Sequence, residues 1–160
     1  MDAQRINQEF AGPGFNELRT YLKSAPQNSP EALAALDIAE KYEIGAVMYA
    51  GGGIASRLMA DRHVPGEWRG RTSDMFDAEN RNRQTANEIT DRIEQRRAND
   101  PRYAATVDYL ITNVIRGIDR ASEDAASVKM SRISRGIKAV VAEVCSKPTV
   151  RNTVVNKLFL

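Results

Sequence analysis

The chain has 160 residues, 42% apolar and 28% charged, with a net charge of +2. That is enough for one real core and too apolar for a disordered chain. One cysteine, Cys145, excludes an internal disulfide and every metal motif built on paired cysteines. The most apolar stretch, Ile44 to Ala60, contains four glycines and Arg57 and is too short to span a bilayer, so no membrane association is expected.

Charge is unevenly placed. Residues 1–124 carry 16 Lys/Arg against 20 Asp/Glu, whereas residues 125–160 carry seven Lys/Arg against Glu143 alone. An acidic body with a basic tail points to an anionic partner for the tail, or to contact between copies. The N-terminus, with Asp2, Arg5 and Glu9 and no apolar run, does not read as a signal peptide. The expected setting is intracellular, in a host cytoplasm or a virion.

In chain order, residues 1–13 read as an irregular arm leading into Ala11-Gly12-Pro13-Gly14. The following short helix has Phe15, Leu18 and Leu22 on one side. Ser29-Pro30-Glu31 is a strong helix start: a capping hydroxyl, a proline at the first helical position and an acid in the first turn. Leu33, Leu36 and Ala39 form one apolar row of that helix, and Ile38, Tyr42 and Ala46 another. Gly51-Gly52-Gly53 is expected to stop it, with a separate short helix from Ile54 to His63. The segment from Gly66 to Asp74 reads as a polar loop around Trp68.

A polar helix is then expected from Ser73 to Arg97, about seven turns long. Met75 and Phe76 begin an apolar stripe that resumes at Ala86, Ile89 and Ile93. In between, the stripe meets Glu79, Asn82 and Arg83, so charge falls where an apolar face is expected. Asp100-Pro101 restarts the chain. Tyr103, Val107, Leu110, Ile111, Val114 and Ile118 recur at spacings of three and four in the cleanest helix of the sequence. The last helix carries Met130, Ile133, Ile137, Val140, Val141 and Val144, with Lys129, Arg132, Arg135 and Lys138 on its other face. Residues 149–160 read equally as a short helix or an extended arm. The predicted class is all-α: one domain over 1–160, a bundle of about six helices, with a helical body over 14–124 and a basic C-terminal helix and tail over 125–160.

Several groups could carry chemistry. The glycine run before Ile54 could hold an anion at a helix start, but it lacks the Lys-Ser/Thr of a P-loop and reads better as a tight connection. Asp74, Asp77 and Glu79 complement a helix dipole, and no His or Cys joins them, so neither metal nor cofactor is expected. Cys145 lies among Val141, Ala142 and Val144 and reads as a buried, inert thiol. Asn80, Arg81, Asn82 and Arg83 suit a nucleic-acid strand, since Arg forks onto phosphate and Asn both donates and accepts. The bland alternative makes Glu79 and Arg83 a solvated i,i+4 pair worth about 0.2–0.5 kcal/mol.

Two resemblances follow from these residues. Arg57 and His63, six residues apart, resemble the motif of the HEPN ribonucleases, which implies acid–base or phosphate chemistry at His63 with Arg57 holding a phosphate. The chain departs from that family in placing Leu58 after the Arg and Val64-Pro65-Gly66 after the His. Phe76-Asp77-Ala78-Glu79-Asn80-Arg81 resembles a Phe-Asp-x-x-Asn-Arg segment of tobamovirus-like rod-shaped plant virus coat proteins. The run from Leu110-Ile111 to Val114-Ile115-Arg116-Gly117 is similar to that family's second long helix, and Asp119-Arg120 with Glu123 loosely matches the element after it. This resemblance covers residues 76–123. It implies a helical bundle whose arginine-bearing segment contacts viral RNA in a helical rod. Glu79 stands where the family has another Arg, and the Phe of the last element is missing.

The reading adopted is structural rather than enzymatic. It describes a self-assembling coat or nucleocapsid-type protein binding nucleic acid, with single-stranded RNA favoured. Asn80, Arg81, Asn82 and Arg83 would contact the strand, and Lys129, Arg132, Arg135 and Lys138 would add phosphate contacts or bind a neighbouring copy. The alternatives are a HEPN-like ribonuclease using Arg57 and His63, and a bacterial or phage protein–protein interaction module.

Overall fold

A computed structural model describes the backbone of residues 8–60 and 66–145, and the side chains of residues 8–50 and 77–145. The described residues are helical, with no strand among them. Helix α1 spans Phe15–Leu22 and buries Phe15, Leu18 and Leu22. Helix α2 spans Pro30–Ala60 and α3 spans Gly66–Asn99. Helix α4, Pro101–Tyr109, passes into a π-helical segment, Leu110–Ile115, and then into α5, Arg116–Ala121. Helix α6 spans Ala126–Cys145. Because residues 101–121 form one rod, five helical rods are described.

The two expected starts form as their chemistry dictates. The Ser29 hydroxyl accepts from the Ala32 amide at 3.2 Å, with Pro30 at the first helical position of α2. Asp100, extended at φ −138°, accepts from the amides of Arg102 and Tyr103 at 2.9 and 3.3 Å. Both caps satisfy amides that have no partner inside the helix.

Helix α2 is the hub, packing against α6, α3 and α4, while α1 packs on α6 and the π segment. The core gathers Leu18 and Leu22 of α1, Ile38 and Ala39 of α2, Ile89 and Ile93 of α3, Tyr103 and Val107 of α4, Leu110 and Val114 of the π segment, and Ile133, Ile137 and Val140 of α6. Phe10 is also buried and meets Phe15 edge-on at 5.4 Å, so the end of the expected N-terminal arm is a core element. Gly136 makes room for this pair, because a Cβ there would lie 2.1 Å from the Phe15 ring. Arg19 fastens α1 to α6, donating to Glu143 at 2.8 Å and to the Phe10 carbonyl at 2.7 Å.

Four expectations are corrected. Helix α2 runs straight through Gly51-Gly52-Gly53. Glycine lowers helix propensity by about 1 kcal/mol per residue but permits helical dihedrals, so a glycine run does not by itself end a helix. The expected loop from Gly66 to Asp74 is the first part of α3, since no proline between 66 and 100 blocks propagation. Leu36 stands partly exposed, and Asp37 is buried beside it. Ile111 is 49% exposed although it matches the stripe of residues 103–118. The π turn widens the helix there and shifts the phase, so that Ile115, outside the expected stripe, turns inward.

Among the described side chains, the core members nearest the far ends of these helices are Ala46 on α2 and Ile89 on α3. None from 47 to 50 or from 77 to 88 is fully buried, and Ala78, Glu79, Asn82 and Ala86 are partly buried. Beyond those points α2 continues to Ala60, and α3 begins as early as Gly66.

The tightest backbone crossing is at Gly14, where φ is +89° and an added Cβ would lie 2.4 Å from the Val114 carbonyl and 2.5 Å from Ile118 Cγ1. Gly14→Ala combines left-handed strain with a clash against backbone. It is expected to destabilise the fold by about 3–5 kcal/mol in urea unfolding. A loss below about 1 kcal/mol would mean that α1 does not seat on the π segment in this way.

Candidate functional site

Asn80, Arg81 and Arg83 are exposed on α3, and Asn82 is partly buried. Arg83 meets Glu79 at 3.5 Å and keeps 60% of its side chain exposed. The Arg81 carbonyl accepts from the Thr85 hydroxyl at 3.0 Å, while the Arg81 guanidinium forms no ion pair among the described residues. Glu79 is only 22% exposed and pairs with Arg83, and Asn82 is partly buried, so the break in the apolar stripe is a partly covered polar face beside the exposed Asn80, Arg81 and Arg83.

The basic face of α6 is placed otherwise. Lys129 meets Asp119 at 3.0 Å, Arg132 meets Asp124 at 3.8 Å, Arg135 meets Glu9 at 3.5 Å, and Lys138 meets Glu43. Each cation faces a carboxylate of its own chain, so the basic helix is neutralised in part by the acidic body. All four pairs are partly solvent-exposed, and such pairs contribute about 0–1 kcal/mol each. The α3 run and the α6 face are thus two surfaces of different electrostatic character. Of the pair in the ribonuclease reading, His63 and the side chain of Arg57 lie outside the described residues.

The most concentrated polar group in the structure is one the sequence patterns did not single out. Asp37, buried on α2, accepts from Arg96 Nη1 at 2.5 Å and from the Tyr103 hydroxyl at 2.7 Å, both through Oδ2. Its Oδ1 lies 3.1 Å from Arg92 Nη2, and Arg92 also bridges to Glu40. Arg92 and Arg96 are one turn apart on α3, and each follows a buried isoleucine, Ile89 or Ile93, by three residues. That spacing puts both guanidinium groups beside the apolar stripe, from which they reach across to α2. One carboxylate thereby joins α2, α3 and α4.

A cleft of about 320 Å³ opens beside this cluster, lined in part by Leu33, Arg96, Asn99 and Tyr103. Burial pushes the Tyr103 phenol well above the ordinary tyrosine range, and its bond to Asp37 adds to the shift. The carboxylate is held by two guanidinium groups and a phenol at once, so the cluster clamps α2, α3 and α4 together.

Cys145 is buried, its thiol 3.9 Å from the Leu22 carbonyl, and burial raises its pKa. The burial is what its apolar neighbours implied. Among the described residues no group of three or more His, Cys, Asp or Glu could hold a metal ion, and no helix is long and apolar enough to cross a membrane. Comparison with protein-family models, with curated proteins and with solved structures found no match for the chain.

The clamp makes two predictions. Asp37→Ala leaves two partly buried guanidinium groups without their shared acceptor and is expected to cost about 2–4 kcal/mol in denaturant unfolding, against about 1.5–3 for Tyr103→Phe. The double variant should cost less than the sum, because both changes remove the same bond. Additive losses would contradict a shared clamp. The second concerns pH. The Tyr103 pKa is raised in the fold, so its contribution to stability is full below the unfolded tyrosine value of about 10 and is lost as pH rises beyond it. Alkaline titration of wild type against Tyr103→Phe should therefore show wild type losing stability more steeply above about pH 10. Parallel curves would refute it.

Proposed function

We propose that this chain is a structural, self-associating nucleic-acid-binding protein of the coat or nucleocapsid type, with single-stranded RNA the favoured strand. The observation that carries the reading is the position of the Asn80–Arg83 run. Asn80, Arg81 and Arg83 stand exposed, with Asn82 partly buried beside them, on a stretch of α3 where no described side chain is fully buried, and Arg81 is in no ion pair among the described residues. Arg81 and Arg83 supply phosphate contacts, and Asn80 and Asn82 supply hydrogen bonds to bases or sugars. In this reading the bundle has about six helices, ending in a basic C-terminal helix and tail, and acts in a host cytoplasm or in a virion.

The α6 cations take a secondary part. Lys129, Arg132, Arg135 and Lys138 already face carboxylates, but these pairs are exposed and weak, so a strand of phosphates or the acidic surface of another copy competes for them. The same neutralisation favours the second reading, a protein–protein interaction module, in which the Asn80–Arg83 run is a solvated helix face.

The two readings separate on salt. Fluorescence anisotropy with a labelled single-stranded RNA is expected to show affinity falling steeply with salt. Arg81→Ala/Arg83→Ala is expected to reduce the slope of log affinity against log salt by about 1.4, the contribution of two phosphate contacts on a single strand. An unchanged slope in the double variant would remove these arginines from the interface. Absence of any salt-sensitive binding would favour the interaction module.

A further inference from the structure

A second cleft lies on a face that the proposed function does not use. Between α2, the π segment and α6 is a groove of about 320 Å³ lined by Ile38, Lys41, Tyr42, Gly45, Ile111 and Met130. Its floor is apolar and partly buried, and Gly45 leaves it unfilled: an added Cβ would point toward it and touch Met130 Sδ at 3.4 Å, an ordinary contact, so only a larger side chain there would block the groove. Its outer wall is Ile111, which the π turn rotates out of the core stripe to the rim. A π turn embedded in an otherwise regular helix is costly, and such turns recur where a side chain must be re-aimed toward a site.

The rim carries one cation. Lys41 has no acid within ion-pair distance among the described residues, because the acids around it are engaged elsewhere. Glu40 holds Arg92, Glu43 holds Lys138, and Asp119, whose charge adds to burial in raising the Tyr42 pKa, holds Lys129 at 3.0 Å. A concave apolar floor with one uncommitted ammonium at its edge matches a small amphiphile with an anionic head. A groove of this size takes a short aliphatic chain rather than a single solvent molecule.

We infer that this groove is a binding site for a medium-chain aliphatic carboxylate, its tail between Ile38, Tyr42, Ile111 and Met130 and its head at Lys41. The inference is independent of the RNA reading. The probe is sodium decanoate, titrated calorimetrically into the full chain, with decanol as the uncharged control. Saturable decanoate binding is expected, and Gly45→Leu, which fills the groove, is expected to abolish it. Lys41→Met should weaken decanoate about two- to fivefold and leave decanol unchanged, as removal of one exposed charge contact does. Ile111 is half-exposed, so Ile111→Asp keeps the fold and should also abolish binding, which covers the case in which Gly45→Leu fails to fold. Absence of saturable binding, or binding that survives Ile111→Asp, would overturn the inference. So would a dimer in sedimentation equilibrium that Ile111→Asp dissociates, since the groove would then be covered by a second copy.

Discussion

The structure depends on one buried carboxylate. Asp37 sits on the apolar face of the hub helix and is tolerable there only because Arg92, Arg96 and Tyr103 converge on it. Apolar packing alone would let α2 and α3 slide past each other with little change in energy. An acid that must meet two guanidinium groups one turn apart fixes their register, and Tyr103 fixes α4 to the same point. The polar character of the second half of α3 is therefore part of the core's specification rather than a sign of a solvated helix.

That division separates the two halves of α3. From Ile89 onward its residues belong to the body: Ile89 and Ile93 fill the core, and Arg92 and Arg96, each three residues after one of them, close the clamp. Before Ile89 no described side chain of α3 is fully buried, and only Ala78, Glu79, Asn82 and Ala86 are partly so. Asn80, Arg81 and Arg83 are exposed there, so substitutions among them leave the clamp and the core intact. The electrostatics divide the same way. The acidic body and the basic α6, far apart in composition, meet within one chain through the Lys129, Arg132, Arg135 and Lys138 pairs.

How much of this could be read from the chain depended on range. Local chemistry was legible: Ser29-Pro30 and Asp100-Pro101 start helices because a cap and a proline act within one turn. The apolar residues of α1 and α4 are buried where their periodicity put them, as are Ile133, Ile137, Val140 and Val141 of α6, while Met130 and Val144 are partly buried. What failed did so for physical reasons. Glycine permits a helix that it does not favour, which hid the length of α2. A π turn changes the number of residues per turn, which no fixed period anticipates, and Ile111 and Ile115 exchange roles as a result. The clamp pairs Asp37 with a residue 59 positions away, and long-range pairing leaves no local mark. One signal was present: an acid between Ala34-Ala35 and Ile38-Ala39, on the face that must be buried, requires a partner.

We propose a separation of roles, with the body supplying stability and the exposed residues of the α3 run supplying contact to a strand. Light scattering and negative-stain microscopy of the purified protein, with and without single-stranded RNA, test it most directly. Large assemblies that form on addition of RNA, and that are lost in Arg81→Ala/Arg83→Ala while its unfolding midpoint stays that of wild type, are the predicted result. Particles of unchanged small size with and without RNA would contradict it.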